Sequence, residues 1–562
     1  MIAQRRVFFP VLLTIFSTLL GCGGDTAPSD DQRAEGGTVV IALAAEPATL
    51  LPPLVGSDHE QAIVEVVYDR LADIGPALGT VGDAGFTPRL ASAWQWAADS
   101  MSIAFTLQPS ARWHDGAIVT SADVRRSFAL YTDPRAESRN AQLLANIDSV
   151  STPDPQTATF WFKRRSPQQF YDAVHHLFVM PAHLLVNVDL TQLATVPLAR
   201  SPVGTGRFAF VGWTSGQRIE LRSDTSNYRG RAMLDRVYFV PTPDFGAATV
   251  KLFTGEADFF TPLNRESLEQ ALRTPSVRVW SYPALRYLHL AFNLRDPANR
   301  ARPHPVLGDV AVRRALSMAT NRERVVRTVF DSIGSVAIGP APRALLPDES
   351  LLRPIPYDVD GARALLDSAG WVLSPTDSVR SRGGVRLRIE VLVPSVSLNR
   401  DRMAVLLQDQ LRMVGAEVVL QRLEPNALVK RTSKGEFDSW MGGWNTSPGL
   451  VGLRQVWSTR AIGGEGDNTG GYSSSTFDAN VDTALTAFDP IVARRAVNRA
   501  MQTIIDDAPA IWLVEEVSPS GMSSRIDPGV LPSTGWWHGL PDWRIPPSRR
   551  NDRDRAGLGT AN

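Results

Sequence analysis

The sequence predicts an α/β protein of more than one domain, on three observations. Its 562 residues exceed what one hydrophobic core organises, because cores stop growing at about 250–300 residues. Residues 387–393 read as a strand, Met403, Leu406, Leu407, Leu411 and Val414 as a helical stripe closed by Gly415, and residues 416–423 as a second strand. Such a βαβ unit lays its strands parallel under a helix, and open α/β sheets bind ligands at the carboxyl ends of their strands. Residues 88–131 carry the third signal. Ile103, Phe105 and Leu107 alternate with Ala104, Thr106 and Gln108 as a half-buried strand, and Asp115-Gly116 supplies the positive φ of a tight turn. Thr120 and Asp123 then form a capping-box variant ahead of Val124, Phe128 and Tyr131 on one helix face.

Lys plus Arg equals Asp plus Glu at 58 each, so no net field draws the chain to nucleic acid or to an anionic membrane. At the N-terminus Arg5 and Arg6 precede an apolar run over 7–20 that ends in Leu19-Leu20-Gly21-Cys22. The run is shorter than the ~20 residues of a membrane span and reads as an export signal. Cys22 is the only cysteine, so the fold uses no disulfide. Residues 23–36 form a polar tether, and the arginine-rich end over 546–562 reads as solvated and disordered.

Between these ends the elements follow in order. Residues 38–42 form a strand, Glu46-Pro47 opens a loop, and a helix carries Val64, Val67, Tyr68 and Leu71. Tyr68 either faces a ligand or packs the helix on the sheet. Residues 157–162 alternate as a strand, and a helical piece bears His175, His176 and His183. A metal site is not expected there, since no carboxylate or cysteine falls at ligand spacing and adjacent helical histidines face apart. The glycines of Pro202-Val203-Gly204-Thr205-Gly206 allow a tight reversal before strands at 208–211, 218–222 and 236–240. A helix stopped by Gly255 follows, then a strand at 285–293 ending in Asn293, one helix over 310–329 and another over 360–371. Gly442, Gly443 and Trp444 combine close-approach glycines with a flat apolar wall. The loop 463–471 lacks the spacing of a nucleotide fingerprint, and a helix over 493–506 leads to a last strand at 508–513.

Taken in this order, the motifs resemble those of the family 5 extracytoplasmic solute-binding proteins, the oligopeptide- and dipeptide-binding type that serves ABC importers. The matches are Trp113-His114-Asp115-Gly116 with its capped helix, Pro202 to Gly206, Val312-Arg313-Arg314-Ala315-Leu316, Asp360 to Trp371, Phe437 to Trp444 and Ala508-Pro509. Leu19 to Cys22 resembles a lipobox, whose cysteine becomes the lipid-bearing first residue. Arg207 and Phe208 depart from the family's Pro-Tyr, and Ile511-Trp512 from its usual closing pair. Ser447 stands where peptide-binding members place an aspartate for the peptide amino group.

The resemblance implies a two-lobed periplasmic-binding-protein fold, type II-like with an extra subdomain and a hinge between lobes. It divides the chain into a signal with lipobox (1–22), a tether (23–36), lobe 1 (37–281 and 501–545, with a subdomain over about 54–198), lobe 2 (282–500) and a tail (546–562). Candidate ligand-binding residues are Glu46, Tyr68, Asn293, Gly442, Gly443, Trp444, Asn445 and Ser447, with Cys22 as lipid attachment and no metal or cofactor. A buried ammonium needs an opposing charge, so either another carboxylate, such as Glu46 or Asp467, replaces the missing acid or the ligand is not a free-amine peptide. The expected partners are a peptide or other small solute (an oligosaccharide, a nickel chelate), an ABC permease with its ATPase, and the membrane through the lipid anchor. The expected state is a monomer in the periplasm or cell envelope. The competing readings are a sensory lipoprotein and an extracytoplasmic hydrolase. No Gly-x-Ser-x-Gly or His-Glu-x-x-His occurs to support the hydrolase.

Overall fold

The computed structural model describes residues 35–555, apart from positions 332, 347, 375–377, 396, 447, 450, 464, 465, 531 and 533. Ten strands, β1 (Thr38–Leu43), β2 (Phe208–Thr214), β3 (Arg218–Ser223), β4 (Arg236–Pro241), β5 (Phe259–Phe260), β6 (Val277–Phe292), β7 (Arg388–Pro394), β8 (Glu417–Leu423), β9 (Ser439–Asn445) and β10 (Ala510–Ser523), join in one sheet. Their order is β8-β7-β9-β6-β10-β5-β1-β4-β3-β2, with a short strand, Gly334–Val336, also on β10.

Two of these strands are much longer than the others. β6 has 16 residues and β10 has 14, and at about 3.3 Å per residue such strands reach through both halves of the molecule. They pair antiparallel from Val277 opposite Ser523 to Ala291 opposite Ala510, with slips in register between Pro283 and Tyr287 and between Leu288 and His289; the first, wider one is the β6–β10 slip. On one side of the slip β10 takes β5, then β1, β4, β3 and β2. On the other side β6 takes β9, followed by β7 and β8. β7 and β8 run parallel with the helix Leu398–Arg412 between them, as their βαβ pattern predicts.

Side chains alternate across the sheet with period two, and each face has its own core. In the second half Leu288, Leu290 and Phe292 pack under the helices Val310–Met318, Arg322–Val329 and Leu398–Arg412, while Tyr287 and Trp512 pack on the other face under Ser475–Thr486 and Pro490–Asp507. In the first half Val39, Ile41 and Leu43 face the helix Asp58–Val67, and Ala42 faces Phe245–Thr254. A four-stranded antiparallel sheet (Ala91–Trp96, Ser102–Leu107, Thr157–Phe162, Ile147–Asp154, in that order) is inserted on the Val39 face. In this insert the Thr120 amide donates to Asp123 at 2.7 Å, completing the expected cap.

Four expectations need correction. The helix expected over 310–329 is two helices, because Asn321 caps a new one by accepting from the Arg324 amide at 2.8 Å. The boundary expected at 500/501 falls inside the continuous helix Pro490–Asp507, whose buried face belongs wholly to the second half. The chain passes to the other half in β10 instead. Residues 546–555 are ordered: Asp554 accepts from the Thr38 amide at 2.7 Å and from Arg525 at 2.7 Å, and Arg553 donates to Asp258 at 2.8 Å. Charges that read as solvated find buried partners hundreds of positions away. Finally, Gly204 and Gly206 serve close approach more than reversal. A Cβ on Gly204 would lie 1.8 Å from the Val67 carbonyl oxygen, and one on Gly206 2.2 Å from that of Val66. His114 staples the same loop. Its Nδ1 accepts from the Gly204 amide at 3.2 Å and its Nε2 donates to the Gly206 carbonyl at 2.9 Å.

Cys22, the export signal and residues 556–562 lie outside the described residues. Among the described residues no helix is long and apolar enough to cross a membrane.

Because backbone would have to move, Gly204→Ala is expected to cost about 3 kcal/mol or more. Gly212→Ala, which meets nothing within 4 Å, should stay within about 0.5 kcal/mol of the parent. Urea unfolding of both variants measures the difference, and equal midpoints would contradict the packing assignment.

Candidate functional site

Three strands deliver their carboxyl ends to one place. β1 ends at Leu43, β5 runs into Thr261-Pro262 and β9 ends at Asn445, and all three ends line a cavity of about 450 Å³. Its walls include Leu285, Arg286 and Glu516 from the β6–β10 slip, the first turn of the helix Asp58–Val67, and Trp536 with Trp537. A second cavity of about 630 Å³ shares Asn445 and Thr446 with the first. It lies between the insert, through Gln168, Tyr171 and Asp172, and the second half, through Trp444, Gly449 and Arg454. The two cavities form one cleft with a wall from each half. A larger cavity of about 850 Å³ sits on the other face of the long strands, between Phe245, Pro262 to Glu269 and the helix Leu398–Arg412. It holds none of the candidate residues.

Several local interactions fix the cleft. Arg286 lies opposite Asn445 in the β6–β9 ladder and pairs with Glu516 of β10 at 3.0 Å. The Thr446 amide donates to the Leu285 carbonyl at 2.7 Å, continuing the ladder past the end of β9. Gly442 and Gly443 admit side chains of the protein itself: a Cβ on Gly442 would lie 2.7 Å from His289 Nε2, and one on Gly443 would lie 2.8 Å from Arg400 Nη2. Trp444 and Asn445, the next two residues, line the cleft.

Other candidates are placed elsewhere. Glu46 accepts from Trp213 Nε1 at 2.8 Å and from the Gly216 amide at 3.1 Å. The Trp213 hydrogen bond, aided by the Gly216 amide, holds the Glu46 carboxyl below the usual range, so its oxygens are committed to the β2–β3 hairpin. Tyr68 is 0% exposed and belongs to the first half's core. Asn293, also 0% exposed, donates to the carbonyls of Gly435 at 3.0 Å and Phe437 at 2.8 Å and accepts from the Arg295 amide at 3.1 Å. It is a backbone clamp. Asp467 is exposed and accepts from Gln455 at 2.8 Å. Ser447 lies outside the described residues. Of the three histidines, His175 stacks on Tyr171 at 4.6 Å while His183 pairs with Asp115 at 2.7 Å, so they do not converge.

Sequence reasoning missed Gln168, Tyr171 and Asp172. Tyr171 and Asp172 lie three and four positions after Gln168, the N-cap of the helix Gln169–His175, and all three line the cavity. An acid in an otherwise apolar helical stripe was the available signal. Burial pushes the Asp172 carboxyl up to about 7, against a smaller opposing effect of Arg164. Trp536 and Trp537 were also missed, since they reach the cleft from a segment with no periodic pattern.

Residues 85–457 match the model of the bacterial extracellular solute-binding proteins, family 5 (middle). Over 456 residues the chain is 24% identical to the oligopeptide-binding protein AppA of Bacillus subtilis, covering 78% of this chain and 80% of AppA. Over 495 residues it is 24% identical to the probable D,D-dipeptide-binding periplasmic protein DdpA of Escherichia coli, covering 87% and 90%. The solved structure of B. subtilis AppA in complex with a nonapeptide superposes with a TM-score of 0.70 at 22% identity, over 91% of this chain and 99% of that one. NikZ from Campylobacter jejuni in complex with Ni(L-His) gives 0.70 at 21% identity, over 90% and 99%. The fold is therefore that of the two-lobed binding proteins.

A carboxyl whose folded-state pKa lies above its ordinary 3.8 binds more protons folded than unfolded, so it costs stability progressively as pH rises from about 4 to 7. Asp172→Asn is expected to raise the melting temperature at pH 8 and leave it unchanged at pH 4, by differential scanning calorimetry. An equal effect at both pH values would contradict the shift.

Proposed function

Because this chain belongs to the bacterial extracellular solute-binding proteins, family 5, we propose that it captures peptides, or a related small solute, in the interlobe cleft and delivers them to the permease of an ABC importer. The observation that carries this reading is the shared cleft, with Trp444 and Asn445 of one lobe facing Tyr171 and Asp172 of the insert. A ligand touching both walls favours the closed arrangement, because only that arrangement offers both sets of contacts. Closure would turn on the β6–β10 slip between Pro283 and Tyr287, which divides lobe 1 from lobe 2. The working ligand-binding set is Trp444, Asn445 and Ser447, together with the insert face.

Peptides are supported by the relatives named for oligopeptides and dipeptides. The serine at 447 and the nickel–histidine complex of NikZ favour a second reading, a non-peptide solute. In either case the protein binds and releases without catalysis, and ATP is hydrolysed elsewhere. It works as a monomer in the periplasm or cell envelope, anchored through Cys22. A sensory lipoprotein would share the cleft and anchor and lack the permease.

A thermal-shift screen against di- to pentapeptides, their N-acetyl forms, oligosaccharides and nickel–histidine tests the capture reading. Solute at a hundred times its dissociation constant adds about 2.7 kcal/mol of stability. A shift with peptides alone supports the first reading, one with another class supports the second, and a shift with none contradicts capture of these solutes. For the anchor, Cys22→Ala is expected to abolish metabolic palmitate labelling and release the chain from the membrane fraction. Retained labelling would remove Cys22 from that role.

A further inference from the structure

We infer that the Asp172 carboxylate, in the cavity that Tyr171 also lines, is the subsite that receives a primary ammonium group of the solute. The inference rests on the proposed capture function and specifies the chemistry of one ligand end.

Position comes first. Gln168, Tyr171 and Asp172 line the insert's wall of the 630 Å³ cavity, opposite Trp444 and Gly449 of the second lobe. The walls are close here, since a Cβ on Gly449 would lie 3.8 Å from Gln168 Nε2 and 3.9 Å from Tyr171 Cε1. Asp172 lines this same narrow cavity, which has a wall from each lobe.

Compensation comes second. Among the described residues no side chain donates a hydrogen bond to Asp172 and none forms an ion pair with it. Of the charged groups that line the cavity, two arginines are engaged, two are exposed, and the nearby histidines are neutral. Arg454 donates to Asp482 at 2.6 Å, and Arg165 lies over the Phe488 ring at 4.7 Å. On the helix end, burial holds His175 well below its ordinary range and His176 at about 4, so neither is a cation at neutral pH. Arg460 is exposed at the rim, and Arg164 acts on Asp172 only at a distance. Tyr171 is 2% exposed, yet its hydroxyl has no hydrogen-bond partner. Among the described residues the half-buried Asp172 carboxylate has no hydrogen-bond or ion-pair partner and the buried Tyr171 hydroxyl no hydrogen-bond partner, so both can accept from a donor that a ligand supplies.

Chemistry decides which donor. Among the described residues no three His, Cys, Asp or Glu side chains gather to hold a metal ion, so a divalent cation would find one carboxylate and little else. An ammonium group needs one opposing charge and one or two further acceptors, and Asp172 with the Tyr171 oxygen offers that set.

Isothermal titration of the full chain and Asp172→Asn with trialanine and pentaalanine, and with their N-acetyl forms, tests the subsite. At pH 8 the parent is expected to bind the free peptides about 100-fold more tightly than the acetylated ones. Asp172→Asn should lose that preference while binding acetylated peptides as the parent does. The parent's affinity for free peptides should fall as pH drops below 7, and the variant's should not. A variant that is more heat-stable at pH 8 and yet weaker for free peptides separates a ligand group from a structural one. If Asp172→Asn keeps the parent's preference for a free amine, another carboxylate holds it, and this inference fails while peptide capture stands. If the parent binds no peptide and does bind maltose or nickel–histidine, the peptide reading and this inference fall together and capture survives.

Discussion

The antiparallel pairing of β6 with β10 is the constraint on which the rest of the molecule depends. Every other strand of the sheet is attached to one side or the other of this pair, with the β5 to β2 half on β10 and the β9, β7 and β8 half on β6. A ladder resists shear along its length but tolerates bending where its hydrogen bonds lapse. The lapse between Pro283 and Tyr287 thus sets where the two halves meet, and the cleft opens beside it at Leu285, Arg286 and Glu516. The larger cavity on the other face of the same strands follows from the same geometry: two rigid bodies joined by a narrow ribbon leave a gap on each side of it.

Buried charge ties the first half together. Asp69 accepts from Arg229 at 2.6 Å, Arg89 at 3.2 Å, Thr205 at 3.1 Å and the Tyr228 hydroxyl at 3.0 Å, drawing the insert and the Gly204 loop onto one carboxylate. Glu65 takes both nitrogens of the Arg70 fork at 2.6 and 2.7 Å, and Asp258 joins the Val40 amide, Arg525 and Arg553. Removing one partner from such a network typically costs about 3–5 kcal/mol, because the other is left buried and unmet. Asp172 stands out against this background. Where the fold buries Asp69, Glu65 and Asp258 it surrounds them with donors, and where it turns Asp172 toward the cleft it does not.

Legibility in the sequence followed the range of the forces involved. Strands and helices were readable because alternation, stripes and caps act over a few residues: Thr120 with Asp123, Gly255, Gly370 and Gly415 each did locally what their types suggest. Glu46, Tyr68 and Asn293 were misplaced because their motifs are real but their side chains serve the scaffold, as hairpin acceptor, core ring and backbone clamp. A polar residue inside a family-like motif carries no mark of which side of a loop it will face. Trp444 and Asn445 line the cleft because they follow two glycines at a strand end, and a strand's direction fixes where its end points.

The sequence by itself determined the α/β class, the order of the elements, the βαβ unit and the likeness to a two-lobed binding family, since all of these rest on short-range periodicity and on motifs in a fixed order. Only the tertiary structure decided that residues 546–555 are part of the fold, that the crossing lies in β10, and that Tyr171 and Asp172 face Trp444. The physical reason is distance along the chain. Asp172 and Trp444 line the same cavity from separate halves of the sheet, and their meeting depends on the pairing of β6 and β10 and on nothing local to either residue.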